Sequence, residues 1–276
     1  MPSPIIALFA IASALLRPHS PDQFRFVLYG DDRDGHDIHR KIVGMIEKEK
    51  PVMVINSGDL VKRGNNPALW KIFDDITGKL RKETDYYAAR GNHDVGDPDF
   101  QTRFTAPISS GNHLWYSFDR GSYHFIGLAV DENTNYGPSS EQYKWMISDL
   151  DAAKAKSEHI IVFFHVPPYS IGSHGPNEDE QKVLCPIFSK YGVVAVLNGH
   201  DHIYYHTKRA GVVYIVSGGG GAPLYPCDPS EGAIDGDKWE SVNHYIVFDV
   251  STTNIHARVV RLDGSVLEEF DIPVSG

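Results

Sequence analysis

Five apolar runs of this chain end in clusters of side chains that ligate metals or carry protons: YGDDR (29–33), NSGDL (56–60), ARGNHD (89–94), FFHVPP (163–168) and LNGHDH (197–202). Taken singly, each has an ordinary explanation. Gly58-Asp59 reads as a turn, Asn92-His93-Asp94 as a polar loop, and His165 as a core histidine bonded to backbone. Two features raise the chemical reading. His200 and His202 lie two apart on an extended segment, so their side chains point the same way, and Gly199 lets another backbone approach closely. Asn92, His93 and Asp94 combine an oxygen ligand, a titratable imidazole and a carboxylate able to orient it, an economical acid/base unit. Asp31, Asp59, Asn92, His165, His200 and His202 together offer carboxylate and amide oxygens with imidazoles, a set suited to Zn, Mn, Fe or Co. A shared carboxylate such as Asp59 can bridge two such ions ~3.5–4 Å apart, an arrangement that serves in-line phosphoryl displacement.

Such residues, far apart in sequence, meet only if strand ends bring them together. Strand-like runs and helical patterns alternate through the first half: strands at 24–30, 51–58 and 86–89, helices from about Asp37 and after Asn66-Pro67, and a hairpin over 113–130 split at Arg120-Gly121. A helix from Ser139-Ser140-Glu141 to about Lys154, a strand at 159–166, a helix around 179–190 and a strand at 193–199 follow. The last third reads as strands at 203–208, 212–217, 244–250, 255–262 and 266–271, with turns at Ala210-Gly211 and Asp263-Gly264. This is the rhythm of an α/β sheet with antiparallel additions, and carboxyl strand ends are where its loops converge into a site.

The 276 residues carry a net charge of −10 and no long basic run, which excludes the footprint of a nucleic-acid backbone binder. Cys185 and Cys227, the two cysteines, cannot form a Cys-rich zinc site, and whether they pair is not legible. Residues 1–20 read as a signal peptide or N-terminal extension: IIALFAIASALL (5–16) has signal-peptide length and contains Ala12-Ser13-Ala14. Export, as a secreted or periplasmic protein, is the favoured reading. A helix packed on the domain is the alternative, because no Lys or Arg precedes Arg17. The run is too short to span a membrane, and oligomeric state is not legible.

In order and spacing, GDDR (30–33), GDLV (58–61), GNHD (91–94), the histidine of FFHVPPY (163–169) and GHDHIYY (199–205) resemble the blocks of calcineurin-like metallophosphoesterases, nearest the purple-acid-phosphatase branch. The resemblance covers about residues 24–272 and includes YIVSGGGGAPLY (214–225). It implies a single α/β domain over 21–276, a four-layer α/β/β/α sandwich of two mixed β-sheets flanked by helices. It also implies two metal ions, Mn, Fe or Zn, and hydrolysis of a small phosphomonoester or phosphodiester by metal-held water. Carried over position by position, Asp31, Asp59 and His202 would serve one metal, and Asp59, Asn92, His165 and His200 the other. His93 would protonate the leaving alkoxide or hold the phosphoryl group, with Asp94 orienting its ring.

Two positions depart from the family pattern. Arg33 stands where most members carry a histidine ligand, and Lys62 where purple phosphatases carry an iron-binding tyrosine. Arginine stays protonated and cannot ligate, so Arg33 is expected to aim at the phosphate while the first metal is held more weakly. A shifted register would make Asp34 a ligand. Glycines 218–221 are expected to form a flexible turn near the site, Asp37 to cap its helix, and Tyr169, Tyr204 and Tyr205 to stack on a base or to pack. His174 and His244 match no ligand position. Rival readings are a metal-dependent hydrolase of a non-phosphate ester or amide, and an inactive binding scaffold of the same fold.

Overall fold

The structure, a computed structural model, describes residues 22–104, 114–131, 134–156 and 158–274; the segment 1–20 read as a signal peptide lies outside them. Among the described residues the strands are β1 (Phe24–Tyr29), β2 (Met53–Asn56), β3 (Asp85–Ala88), β4 (Tyr116–Arg120), β5 (Tyr123–Gly127), β6 (His159–Phe163), β7 (Ala195–Asn198), β8 (Tyr204–Arg209), β9 (Val212–Ser217), β10 (Lys238–Glu240), β11 (His244–Val250), β12 (Asn254–Arg261) and β13 (Val266–Pro273). One sheet has the order β13-β12-β11-β1-β2-β3 and the other β10-β8-β9-β7-β6-β5-β4. Both are mixed: β1, β2 and β3 run parallel, as do β5, β6, β7 and β9, while β11 and β4 join antiparallel.

The strand period of two sorts each side chain to a face. On β1, Phe24, Phe26 and Leu28 point between the sheets, where they meet Phe125, Phe163 and Leu197 of the other sheet. Val27 and Tyr29 point outward against Ile42, Ile46 and Phe73 of the helices His36–Glu49 and Pro67–Thr77. The second sheet is covered likewise by Met146, Leu150 and Phe188 of the helices Glu141–Ala155 and Cys185–Tyr191. The result is the four-layer α/β/β/α sandwich, in which each fully buried Phe or Leu contributes ~1.5–3 kcal/mol.

Asn66 caps its helix by accepting the Ala68 N–H, and Ser140 caps the next by accepting that of Tyr143. Two local expectations are corrected, and one element is added. The first helix starts at His36 with Gly35 at the cap, so Asp37 lies in the first turn, where its charge suits the helix dipole. The segment 179–190 is two helices, Glu178–Val183 and Cys185–Tyr191, because Pro186 removes a helical N–H and its ring displaces the preceding turn. The three-residue edge strand β10 went unseen, being too short to show a period.

Candidate metal centre

Asp31 follows β1, Asp59 follows β2, Asn92, His93 and Asp94 follow β3, His165 follows β6, and His200 and His202 follow β7. These strands are parallel neighbours within their sheets, so each set of loops leaves one carboxyl edge. The loops are laced together. Asp31 N–H donates to the Gly58 carbonyl at 2.9 Å, and His200 N–H donates to Asp31 Oδ2 at 2.9 Å. Asp31, Asp59 and His200 all adopt left-handed backbone, with φ of 57°, 57° and 71°. Such conformations are costly for residues with a Cβ and cluster at functional sites.

The glycine-rich segment is a stitch between ligand loops rather than the flexible turn expected. Gly220 N–H donates to the Gly30 carbonyl at 2.8 Å and Ala222 N–H to that of Asp31 at 2.7 Å. A Cβ at Gly218 would strike the Asp201 carbonyl, and one at Gly220 the Gly30 carbonyl.

His165 is fully buried, and its Nδ1 lies 2.9 Å from the Ser57 carbonyl, which can only accept. In the neutral form of the ring the proton sits on Nδ1, facing that carbonyl, and Nε2 presents a lone pair. That lone pair faces Asn92 Oδ1 at 3.2 Å, His200 Nδ1 at 3.3 Å and Asp59 Oδ1 at 3.4 Å. Burial, with the nearby His165 and His174 rings, pushes the His200 imidazole down to about 3 and keeps it neutral. Burial opposes ionisation of Asp59, but His165, His93, the His93 N–H and Arg33 outweigh it and hold the carboxyl below its usual range. A convergence of acceptors without a proton to share is relieved by a cation, so these four side chains fit a divalent metal. Asp31, Asp59 and His165 each place a ligand atom within 4.8 Å of the others. Asp31 Oδ1 is buried without a hydrogen-bond partner. Burial and the Asp59 charge raise the Asp31 carboxyl well above the usual range.

The other donor set is arranged differently. His202 Nδ1 lies 2.6 Å from the Pro223 carbonyl, leaving a lone pair at Nε2, which is 3.6 Å from Asp31 Oδ1. Burial and Arg33 lower the His202 imidazole to about 4. Arg33 Nη2 faces His202 Nε2 at 3.4 Å, and Arg33 Nε lies 3.2 Å from Asp59 Oδ2. Asp34 turns away from the donors and pairs with Arg33 at 2.6 Å and Lys62 at 3.1 Å, so the shifted register is not adopted.

His93 Nδ1 lies 2.9 Å from the Lys62 carbonyl, which leaves Nε2 as the free nitrogen, 4.0 Å from Asp59 Oδ2. Asp94 does not hold this ring. Its carboxylate accepts the backbone N–H groups of Asp59, Leu60, Val61 and Gly91.

Asp201 and Tyr225, which the sequence did not single out, also border the donors, as does His174, which matches no ligand position. The His174 ring lies 4.1 Å from that of His200 and its Nδ1 is 3.0 Å from Asp201 Oδ1; that bond raises its pKa. Tyr225 stacks on His202 with centroids 4.0 Å apart. Asp201 sits between two ligand histidines in GHDH, a hint that it was held in place, but nothing local links it to His174. Tyr169 packs against Tyr214, while the Tyr204 and Tyr205 hydroxyls bond Glu268 and Asp237 inside the fold, so these tyrosines are packing residues. His244 is buried beside Ser217. Cys185 and Cys227 are free thiols.

A cavity of about 730 Å³ lined by Tyr191, His206 and Phe270 among others contains none of the donors, so donor chemistry rather than concavity marks the site. His174 and His200 do border a smaller cavity shared with Asp131, Tyr136 and Glu178. Among the described residues no helix is long and apolar enough to cross a membrane.

The family model described as calcineurin-like phosphoesterase matches residues 24–204, a span that contains every candidate ligand. Tartrate-resistant acid phosphatase type 5 of Mus musculus is 40% identical over 174 residues, 54% of this chain and 53% of that protein. The Homo sapiens protein of the same name is 24% identical over 255 residues, covering 76% and 78%. The chain spans about half the length of the rat, rabbit and mouse relatives it matches. Among solved structures, one described as GAP50, the anchor in the inner membrane complex of Plasmodium, superposes with a TM-score of 0.72 at 18% identity, covering 92% of this chain and 90% of that one. A dimetal phosphatase from Danio rerio superposes with a TM-score of 0.62 at 15% identity, covering 91% and 99%. At these identities the two structures speak for the fold alone.

Proposed function

The chain belongs to the calcineurin-like phosphoesterase family, and from that premise we propose that it is a metal-dependent hydrolase of small phosphomonoesters or phosphodiesters. The observation that carries this reading is the convergence of Asp59, Asn92 and His200 on the lone pair of His165 Nε2, all within 3.4 Å. A Mn, Fe or Zn ion bound there supplies Lewis acidity, polarising a phosphoryl oxygen and acidifying water. Asp59 fixes the geometry from its strained loop. Protonated at its free Nε2, His93 delivers a proton to the leaving alkoxide while the Lys62 carbonyl keeps the ring aimed. His174, its charge stabilised by Asp201, stands beside His200 as a second proton-carrying group. Arg33 adds a fixed positive charge.

The test is a turnover panel of phosphomonoesters and phosphodiesters on protein reconstituted with Mn, Zn or Fe, with His93→Ala as control. Inhibition by phosphate or vanadate is expected. Ester hydrolysis that neither anion inhibits would favour the non-phosphate hydrolase. A binding scaffold is the second reading, favoured by Arg33 lying among the ligand atoms; it predicts no turnover with any metal. The apolar run 5–16 supports export. N-terminal sequencing of protein recovered outside the cytoplasm would read the cleavage, and an intact Met1 would contradict it.

A further inference from the structure

Of the donors expected to hold the first metal, Asp31, Asp59 and His202, the last two already face a cation that belongs to the chain. Arg33 is only 11% exposed; its Nε is 3.2 Å from Asp59 Oδ2 and its Nη2 is 3.4 Å from the His202 lone pair. The guanidinium is anchored from behind by Asp34, which contacts Nη1 at 2.6 Å and Lys62 Nζ at 3.1 Å. The two departures from the family pattern are therefore one device. The positions where relatives would supply an imidazole and a phenolate carry two cations instead, and both grip the same carboxylate. A guanidinium stays protonated, so a further ion among these donors would sit a few ångströms from a permanent like charge, inside a buried site where screening is weak.

We propose that Arg33 takes the place of the first metal, so that the protein works with a single metal ion. That ion is held by Asp59, Asn92, His165 and His200, with Asp31 in reach, and the guanidinium supplies the second positive charge. The chemical consequence rests on the phosphoesterase reading; the stoichiometry does not. A guanidinium cannot acidify water as a metal does, but its planar N–H fork donates to two phosphoryl oxygens at once. Arg33 thus binds and neutralises the phosphoryl group, while activation of water falls to the retained ion's side of the site.

The experiment measures metal content by mass spectrometry, together with the electron paramagnetic resonance spectrum, on the full chain loaded with Mn(II) and dialysed. One ion per chain and an uncoupled Mn(II) signal are expected. His165→Ala should lose that ion, and His202→Ala should keep it. Arg33→His, which removes the cation and restores an imidazole, should approach two ions and show exchange coupling. Two ions with a coupled spectrum in the wild type, or none, would overturn the proposal, as would loss of the ion in His202→Ala alone. If Arg33→His does not fold, the wild-type stoichiometry still decides. One retained ion with no phosphoester turned over removes the proposed function and leaves Arg33's role intact; turnover with two ions does the reverse.

Discussion

Asp94 Oδ2 accepts the backbone N–H of Asp59 at 2.9 Å, so the loop after β3 fixes the left-handed residue that both candidate donor sets share. The other contacts of this carboxylate are of the same kind, to the N–H groups of Leu60 and Gly91 at 2.9 Å and of Val61 at 3.2 Å. Asp94 is completely buried. It is the keystone of the Asp59 loop, while His93 takes its orientation from the Lys62 carbonyl.

Asp94→Asn should therefore act as a folding and metal-binding lesion. The amide turns a donor toward donors, and a buried donor left without its partner costs about 1–3 kcal/mol. Denaturant unfolding should show that loss along with reduced metal retention, and the acidic limb of the kcat/KM profile should keep its position. A shifted limb at unchanged stability would return Asp94 to the role of aiming His93.

His93→Ala and His165→Ala should separate chemistry from metal binding. Removing the free Nε2 of His93 should lower kcat by roughly 10²–10⁴-fold at unchanged metal content. Removing His165 takes away the nitrogen on which Asp59, Asn92 and His200 converge, so metal retention should fall first. Equal metal loss in both variants would show that His93 is structural.

The convergence of the strand-end donors was legible because each lies directly after an apolar run, and the order of the blocks is itself specific. The layers were legible from the period of two, as in Phe24, Phe26 and Leu28 against Val27 and Tyr29. What could not be read was which way a polar side chain turns once several loops meet. Asp94 lies next to His93 in sequence and was paired with it, yet four backbone N–H groups from two loops claim it first. Arg33 could be recognised as a non-ligand, but its turn toward Asp59 and His202 depends on Asp34 and Lys62 together. His174 was passed over because its partner, Asp201, is 27 residues away.

Iron-loaded protein should lack an intense visible charge-transfer band. Position 62 carries an ammonium that pairs with Asp34 at 3.1 Å, so no phenolate is offered there. An absorption spectrum of the Fe-reconstituted protein checks this, and a strong band would mean that another tyrosine, such as Tyr225 stacked on His202, reaches the metal.

A pH-dependent tie holds the β4–β5 hairpin to the helix Glu141–Ala155. His124 Nδ1 lies 2.5 Å from Asp119 and Nε2 2.8 Å from Asp149, with Glu158 3.8 Å away. Asp119, His124 and Glu158 could by geometry hold a metal, but both ring nitrogens already face carboxylates, which reads as an imidazolium in an ion cluster. Burial lowers the His124 pKa, and the bonds to Asp149 and Asp119 outweigh it, so the net shift is upward. A raised folded-state value means the stabilisation is complete below the unfolded imidazole value of ~6.5 and is lost as pH rises through the folded value above it. Urea unfolding of the wild type should therefore show stability declining with pH above about 6.5, and His124→Gln should flatten that decline. Parallel curves for the two proteins over that range would mean that the His124 ring is neutral and the cluster contributes no charge-dependent stability.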